Sequence, residues 1–199
     1  MQTIQQSITE IEDMFTDLIC RILKIDPDNI NGRIRCVWGS DVDSKSMSAP
    51  NLKTTEDVCY ITITPKDDAY DRQREIRYLN DRSSADMFAV DEHTDVYQVV
   101  FTSYGLGAFD CARAIRDGLF HRNTRRFLRL NRWALITDVA AIRRAPELVN
   151  AQWVNRVDVS ADFNSLVRLV DTIGTIERVG ITIKQENGNE RTFETNRKE

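Results

Sequence analysis

Apolar residues recur at three- and four-residue steps through Ile8, Ile11, Phe15, Leu18, Ile19, Ile22 and Leu23, the period of a helix with one buried side. Just before them, Ser7 to Glu10 reads S-I-T-E. That is the form of a capping box, in which the serine hydroxyl accepts from an orphan amide and the glutamate reaches back to the serine amide. The helix should stop near Ile25, because Asp26-Pro27-Asp28 is turn chemistry and the residue before a proline avoids the helical basin. A helix of this kind packs against something large and carries no chemistry of its own.

Strand patterns follow. β-Branched and aromatic residues concentrate at 34–38 and 58–64, and 94–104 reads as a long strand whose 96–101 stretch is apolar enough to be central. Two helices fit 108–120 and 123–130, the second with Phe127 and Leu130 as its apolar edge. Further strands are expected at 133–137, 153–163 and 178–184. The last should pair with 190–194 across Glu186-Asn187-Gly188-Asn189, where Asn-Gly is a strong hairpin signal. Within 153–163, Trp153, Asn155, Val157, Val159 and Ala161 alternate with Val154, Arg156, Asp158, Ser160 and Asp162, so one face is wet or meets a neighbour.

Two stretches lack such periodicity. Residues 39–51 are rich in Ser, Asp and Lys and read as a solvated loop. Asp41-Val42-Asp43 hints at a calcium loop, but Lys45 stands where another oxygen ligand is needed and no glycine follows. Residues 65–95 carry charges of both signs with scattered apolar positions, too long for a structureless loop in a compact domain. They read as an extended arm or insertion. The prediction is one domain over residues 1–199 with an α+β fold: a mainly antiparallel sheet, an N-terminal helix, two central helices and a long charged β-hairpin or arm at 65–94.

The 199-residue length, 41% hydrophobic and 29% charged, matches a folded globular chain able to bury a core. The apolar run at 96–101 falls far short of a membrane span, and the N-terminus lacks the pattern of a secretory signal. Membrane insertion and secretion are therefore not expected. Charge is distributed unevenly: residues 1–100 hold 11 Lys and Arg against 19 Asp and Glu, a balance of −8, and residues 101–199 hold 16 against 12, a balance of +4. Such polarity steers one copy toward another. Cys20, Cys36, Cys59 and Cys111 show no zinc spacing and read as free thiols.

The basic block lies at 108–144, where Arg113, Arg116, Arg122, Arg125, Arg126, Arg129, Arg132, Arg143 and Arg144 face only Asp110, Asp117 and Asp138. Arginine suits bidentate contact with carboxylate or phosphate. Three uses stay open at this point: a solvated face with local ion pairs, a subunit interface, and contact with a DNA backbone. Gly105-Leu106-Gly107 has the opening of a dinucleotide fingerprint, but Asp110 occupies the third glycine position. A carboxylate there repels phosphate and favours the helix dipole, with Gly107 as N-cap. His93 and His121 have no persuasive Ser or Cys partner, and there is no P-loop, HExxH or GxSxG. No catalytic residue, metal site or cofactor site is expected, although residues distant in sequence could assemble an enzyme site in space.

Several short words occur in order across residues 94–194: Tyr104-Gly105, Ala108-Phe109-Asp110, 115–120 (I-R-D-G-L-F), 145–148 (A-P-E-L), Gln152-Trp153, Arg156-Val157-Asp158, Phe163-Asn164 and the 181–193 hairpin. Together they make the chain resemble the neck and tail terminator family of tailed bacteriophages. The N-terminal helix and first strands fit more loosely, and the charged arm has no matching motif. The resemblance implies a non-enzymatic virion protein assembled in the host cytoplasm. It implies a self-assembled ring, usually of six copies, at the head-proximal end of the tail tube. There it stops tube growth and joins the tail to head-completion (neck) proteins, with the tail tube protein as one partner and the tail sheath as a further candidate. DNA would pass through the lumen without specific binding. The expected subunit or partner interface comprises Arg113, Arg116, Arg122, Arg125, Arg126, Arg129, Arg156 and Asp158. The competing class is a nucleic-acid-binding phage accessory protein that uses the Arg-rich block 113–144.

Overall fold

A computed structural model describes residues 3–30, 33–36, 57–69, 72–80, 87–149, 151–173, 178–184 and 190–196. The predicted loop at 39–51 and the Asn187-Gly188 turn lie outside them. The first helix, α1, spans Ile8–Leu23. Its capping box forms as the sequence predicts: the Glu10 amide donates to Ser7 Oγ at 3.3 Å, and the Ser7 amide donates to Glu10 Oε2 at 2.7 Å. Lys24, at φ 57°, closes the helix in the left-handed region, and a one-turn 3-10 helix at Pro27–Asn29 follows, capped by Asp26. Ser7→Ala leaves the Glu10 amide at the helix start without its acceptor. Urea unfolding is expected to show a loss of about 1 kcal/mol.

The strands are β1 (Ile34–Cys36), β2 (Val58–Pro65), β3 (Arg74–Asn80) and β4 (Met87–Tyr104). After α2 (Ala108–Leu119) and α3 (Arg122–Leu130) come β5 (Trp133–Leu135), β6 (Arg143–Arg144), β7 (Glu147–Val149), β8 (Gln152–Val154), β9 (Arg156–Ile173), β10 (Arg178–Lys184) and β11 (Glu190–Asn196). β4 and β9 form the spine, antiparallel and in unbroken register from Tyr104 opposite Arg156 to Met87 opposite Ile173. At the core end, β2 pairs with β4, and β1 pairs with β2 in parallel. β5 and β6 pair with β9. β7–β8 and β10–β11 are separate two-stranded units. The fold is α+β with a mostly antiparallel sheet.

Alternation along the two long strands sets the core. Val99 and Phe101 of β4, with Val157, Val159, Ala161 and Phe163 of β9, are buried in one cluster with Phe15, Leu18 and Ile19 of α1, Ala112, Ile115 and Leu119 of α2, and Leu128 of α3. A second, small cluster of Tyr60, Tyr104 and Val154 sits apart, flanked by Val58 and Val149. Two details depart from the sequence pattern. Trp153 is 73% exposed while Val154 is buried, because the predicted strand at 153–163 is two strands broken at Asn155, whose carbonyl accepts from the Gly105 amide. In α3, Leu130 is 75% exposed, and Thr124 and Leu128 supply the buried side with Phe127 at its flank.

The charged arm is a sheet. β3 pairs with residues 87–93 of β4, and residues 167–173 of β9 lie on the other side of that stretch, giving a three-stranded ribbon. Ile4 adds a bridge to Arg168 at the β9 edge. Charged residues tolerate this position because they pair across strands, Arg168 with Glu92 and Arg74 Nη1 with Asp91 Oδ2 at 3.2 Å, while along β4 itself His93 Nε2 lies 3.2 Å from Asp95 Oδ1.

Candidate functional site

α3 presents the chain's most concentrated charge. Its buried residues, Thr124 and Leu128, define an inner side, so helical spacing puts Arg122, Arg125, Arg126 and Arg129 on the outer one. All four are exposed. Among the described residues, no carboxylate forms an ion pair with any of them. Helix stability does not explain the placement. The first turn holds no acid, and arginines at the positive end of the helix dipole are unfavourable there. Arg129, in the last turn, suits the dipole, but what Arg122 and Arg125 gain at the opposite end must come from outside α3.

The remaining predicted site residues are engaged within the chain. Arg113 approaches Asp117 at 3.8 Å on the exposed side of α2, a surface pair worth little. Arg116 Nε donates to the Ala140 carbonyl at 3.2 Å and ties α2 to the segment after β5. Arg156 donates to Asp158 Oδ1 at 3.0 Å and to Glu147 Oε2 at 3.1 Å. The same Glu147 oxygen accepts from the Tyr104 hydroxyl at 2.8 Å. Arg144 lies 4.4 Å over the Phe109 ring. The predicted arginines therefore include an outward stripe on α3 and two guanidiniums, Arg116 and Arg156, that fasten the fold.

Tyr104 has the most informative titration in this network. Burial first, and then its bond to Glu147, push its hydroxyl up to about 12, while the bonds to Asp158 and Glu147 raise Arg156 further above the ordinary arginine range. A raised tyrosine pKa holds its proton in the folded state after the unfolded chain has begun to release it. The stabilisation is present below pH 10 and is lost as pH rises through about 12. Between pH 10 and 11 the wild type is expected to lose about 1 kcal/mol more stability than Tyr104→Phe. Equal slopes in paired urea titrations would contradict this.

The glycine-rich turn before α2 has its own resident carboxylate. Gly105 adopts φ 109°, a conformation that favours glycine. Gly107 caps the helix, and its amide donates to Asp57 Oδ1 at 2.8 Å. An incoming phosphate would meet that charge as well as Asp110. The four cysteines are free. Cys59 and Cys111 flank Ser103, whose hydroxyl lies 3.5 Å from Cys111 Sγ. The neighbouring Cys111 first, and then burial, push the Cys59 thiol up. Among the described residues no group of three or more His, Cys, Asp or Glu side chains is placed to hold a metal ion, and no helix is long and apolar enough to cross a membrane.

Sequence reasoning missed the surface of the arm. Ile76 and Tyr78 on β3 are 60% and 65% exposed, and their register partners are Asp91 and Ala89. Nearby, Asp91 Oδ1 and His93 Nδ1 are buried and have no hydrogen-bond partner among the described residues. The sequence predicts a β-hairpin or arm here, but the surrounding charges hide which of its side chains stand exposed.

Comparison with known proteins agrees with the resemblance seen in the sequence. The family model of the phage neck terminator protein matches residues 10–188, nearly the whole chain. A search of the curated proteins gave no match. The chain belongs to the phage neck terminator family, a family of structural virion proteins that associate with other head and tail proteins.

Proposed function

We propose that this member of the neck terminator family forms a closed ring, hexameric in the mature particle, at the head-proximal end of the tail tube. The ring ends tube growth and joins the tail to head-completion proteins, without enzymatic activity or cofactor. The observation that carries this reading is the exposed, unpaired arginine stripe of α3 in a chain whose first half is acidic. A ring built from one repeated contact is heterologous, with two different faces meeting head to tail, and opposite charges on different elements supply that asymmetry.

Termination follows physically. One end of the ring accepts the last ring of tube protein, and the other presents a surface on which no further tube subunit docks. Exposed strand edges on the arm offer backbone groups for such contacts. DNA passes most freely where few phosphates are held, because each basic contact adds affinity. The lumen is accordingly acidic or neutral, and the arginines face neighbouring subunits. Assembly takes place in the host cytoplasm, before head and tail join.

Tail tubes purified without this protein test the reading. Adding the protein during tube polymerisation is expected to give tubes of uniform length with one capped end. Tubes of unchanged length distribution would contradict it. The exposed arginines also fit a nucleic-acid-binding accessory protein. That reading demands affinity for DNA or RNA that falls steeply with salt in the free chain.

A further inference from the structure

α1 turns a second charged stripe outward, opposite in sign to that of α3. Glu10, Asp13 and Asp17 recur at three- and four-residue steps, away from the side that buries Ile11, Phe15 and Leu18. They line an open groove of about 510 Å³, with Gln6 and Pro27 at its edge and Asn131 opposite. Arg21 and Lys24 end the acidic run at the last turn of α1, and beyond them Asp26 caps the 3-10 helix that contains Asp28. Glu10 is engaged in the cap of its own helix, whereas Asp13 and Asp17 form no ion pair among the described residues.

The two stripes match in dimension as well as sign. Glu10 to Asp17 and Arg122 to Arg129 each span a seven-residue step, about 10 Å along a helix axis. Asp13 and Asp17, with the cap-bound Glu10 beside them, therefore stand along the same length of helix that the four guanidiniums occupy. We propose that the groove carrying Glu10, Asp13 and Asp17 receives the arginine stripe of α3 from a second copy of this chain. This deepens the ring reading and rests on it. The occupant is protein because an acidic groove repels nucleic acid, and it is this chain because the chain itself carries the complementary helix. Donor and acceptor lie on different helices, so each copy gives one stripe and receives the other. The contact weakens as salt rises, since exposed charges are screened beyond about 8–10 Å.

Two charge reversals test the contact. Arg125→Glu/Arg126→Glu and Asp13→Lys/Asp17→Lys are each expected to fail to assemble under conditions where the wild type does, running at the 23.0 kDa of one chain. Mixed in equal amounts they are expected to assemble again, because native junctions alternate with inverted ones. The readout is mass by light scattering, or tube capping where assembly needs the tube. Thermal melting checks that each variant is folded. Asp13→Lys alone, at an exposed position, replaces the double acidic variant if that one unfolds. Wild-type assembly by either variant alone, or no restoration on mixing, overturns the contact and leaves the ring reading standing. A wild-type chain that neither assembles nor caps tubes removes the ring reading and this contact with it.

Discussion

Phe15→Ala is expected to lower unfolding stability by about 3–5 kcal/mol. Phe15 is fully buried and is where three elements meet. Its ring packs edge-on against Trp133 of β5 at 5.3 Å and against Phe163 of β9 at 4.9 Å. Truncation removes the transfer energy of the ring and leaves a cavity that two large aromatics cannot close, because each is held elsewhere. Trp133 Nε1 donates to Gln6 Oε1 at 2.6 Å, and Phe163 lies in the unbroken β4–β9 register. Urea unfolding should show a lower midpoint with an unchanged denaturant slope. A loss below about 1.5 kcal/mol would mean that α1 is not the lid of the main core. Phe15→Leu, which keeps most of the volume, should cost less.

The second large effect has the opposite geometry. Gly118 of α2 sits where a Cβ would lie 2.5 Å from Ile22 Cγ2 and 3.1 Å from Ile22 Cγ1. Alanine would normally gain about 1 kcal/mol of helix propensity over glycine. Here it must displace the Ile22 side chain or push α1 and α2 apart, and Gly118→Ala is expected to destabilise by about 1–3 kcal/mol. The diagnostic is coupling. Ile22→Ala vacates the space, so the double variant should be more stable than the sum of the two single losses predicts. Additive losses would show that the two helices do not touch at Gly118.

The helices were legible because their signals are local. The Ser7–Glu10 capping box and the Gly107 N-cap each lie within a few residues of the helix they start. Core strand faces were legible wherever one side is dry, as along Val157, Val159, Ala161 and Phe163. The lengths of the two spine strands were not. The sequence pattern starts β4 at Thr94 and ends β9 at Phe163, whereas the strands run from Met87 and to Ile173. In the arm, side chains such as Glu92 and Arg168 find partners across strands rather than in a core, and a cross-strand partner distant in sequence leaves no periodic mark. The same limit applies to the site. The arginine stripe of α3 is visible in its spacing, but that Arg156 is bound to Glu147 and Arg116 to the Ala140 carbonyl appears only in three dimensions.

These features also account for how one basic block can serve two ends. Arg116 ties α2 to the segment after β5 and Arg156 ties the β7–β8 unit to β9, while the four arginines of α3 stay exposed.

The central claim is that this chain assembles with itself into a closed ring. Light scattering combined with negative-stain imaging of the purified protein, at low and moderate salt, tests it most directly. The expected result is annular particles of about six copies of the 23.0 kDa chain, held less firmly as salt rises. Particles of single-chain mass at both salts, with no annulus even when tail tubes are supplied, would contradict it.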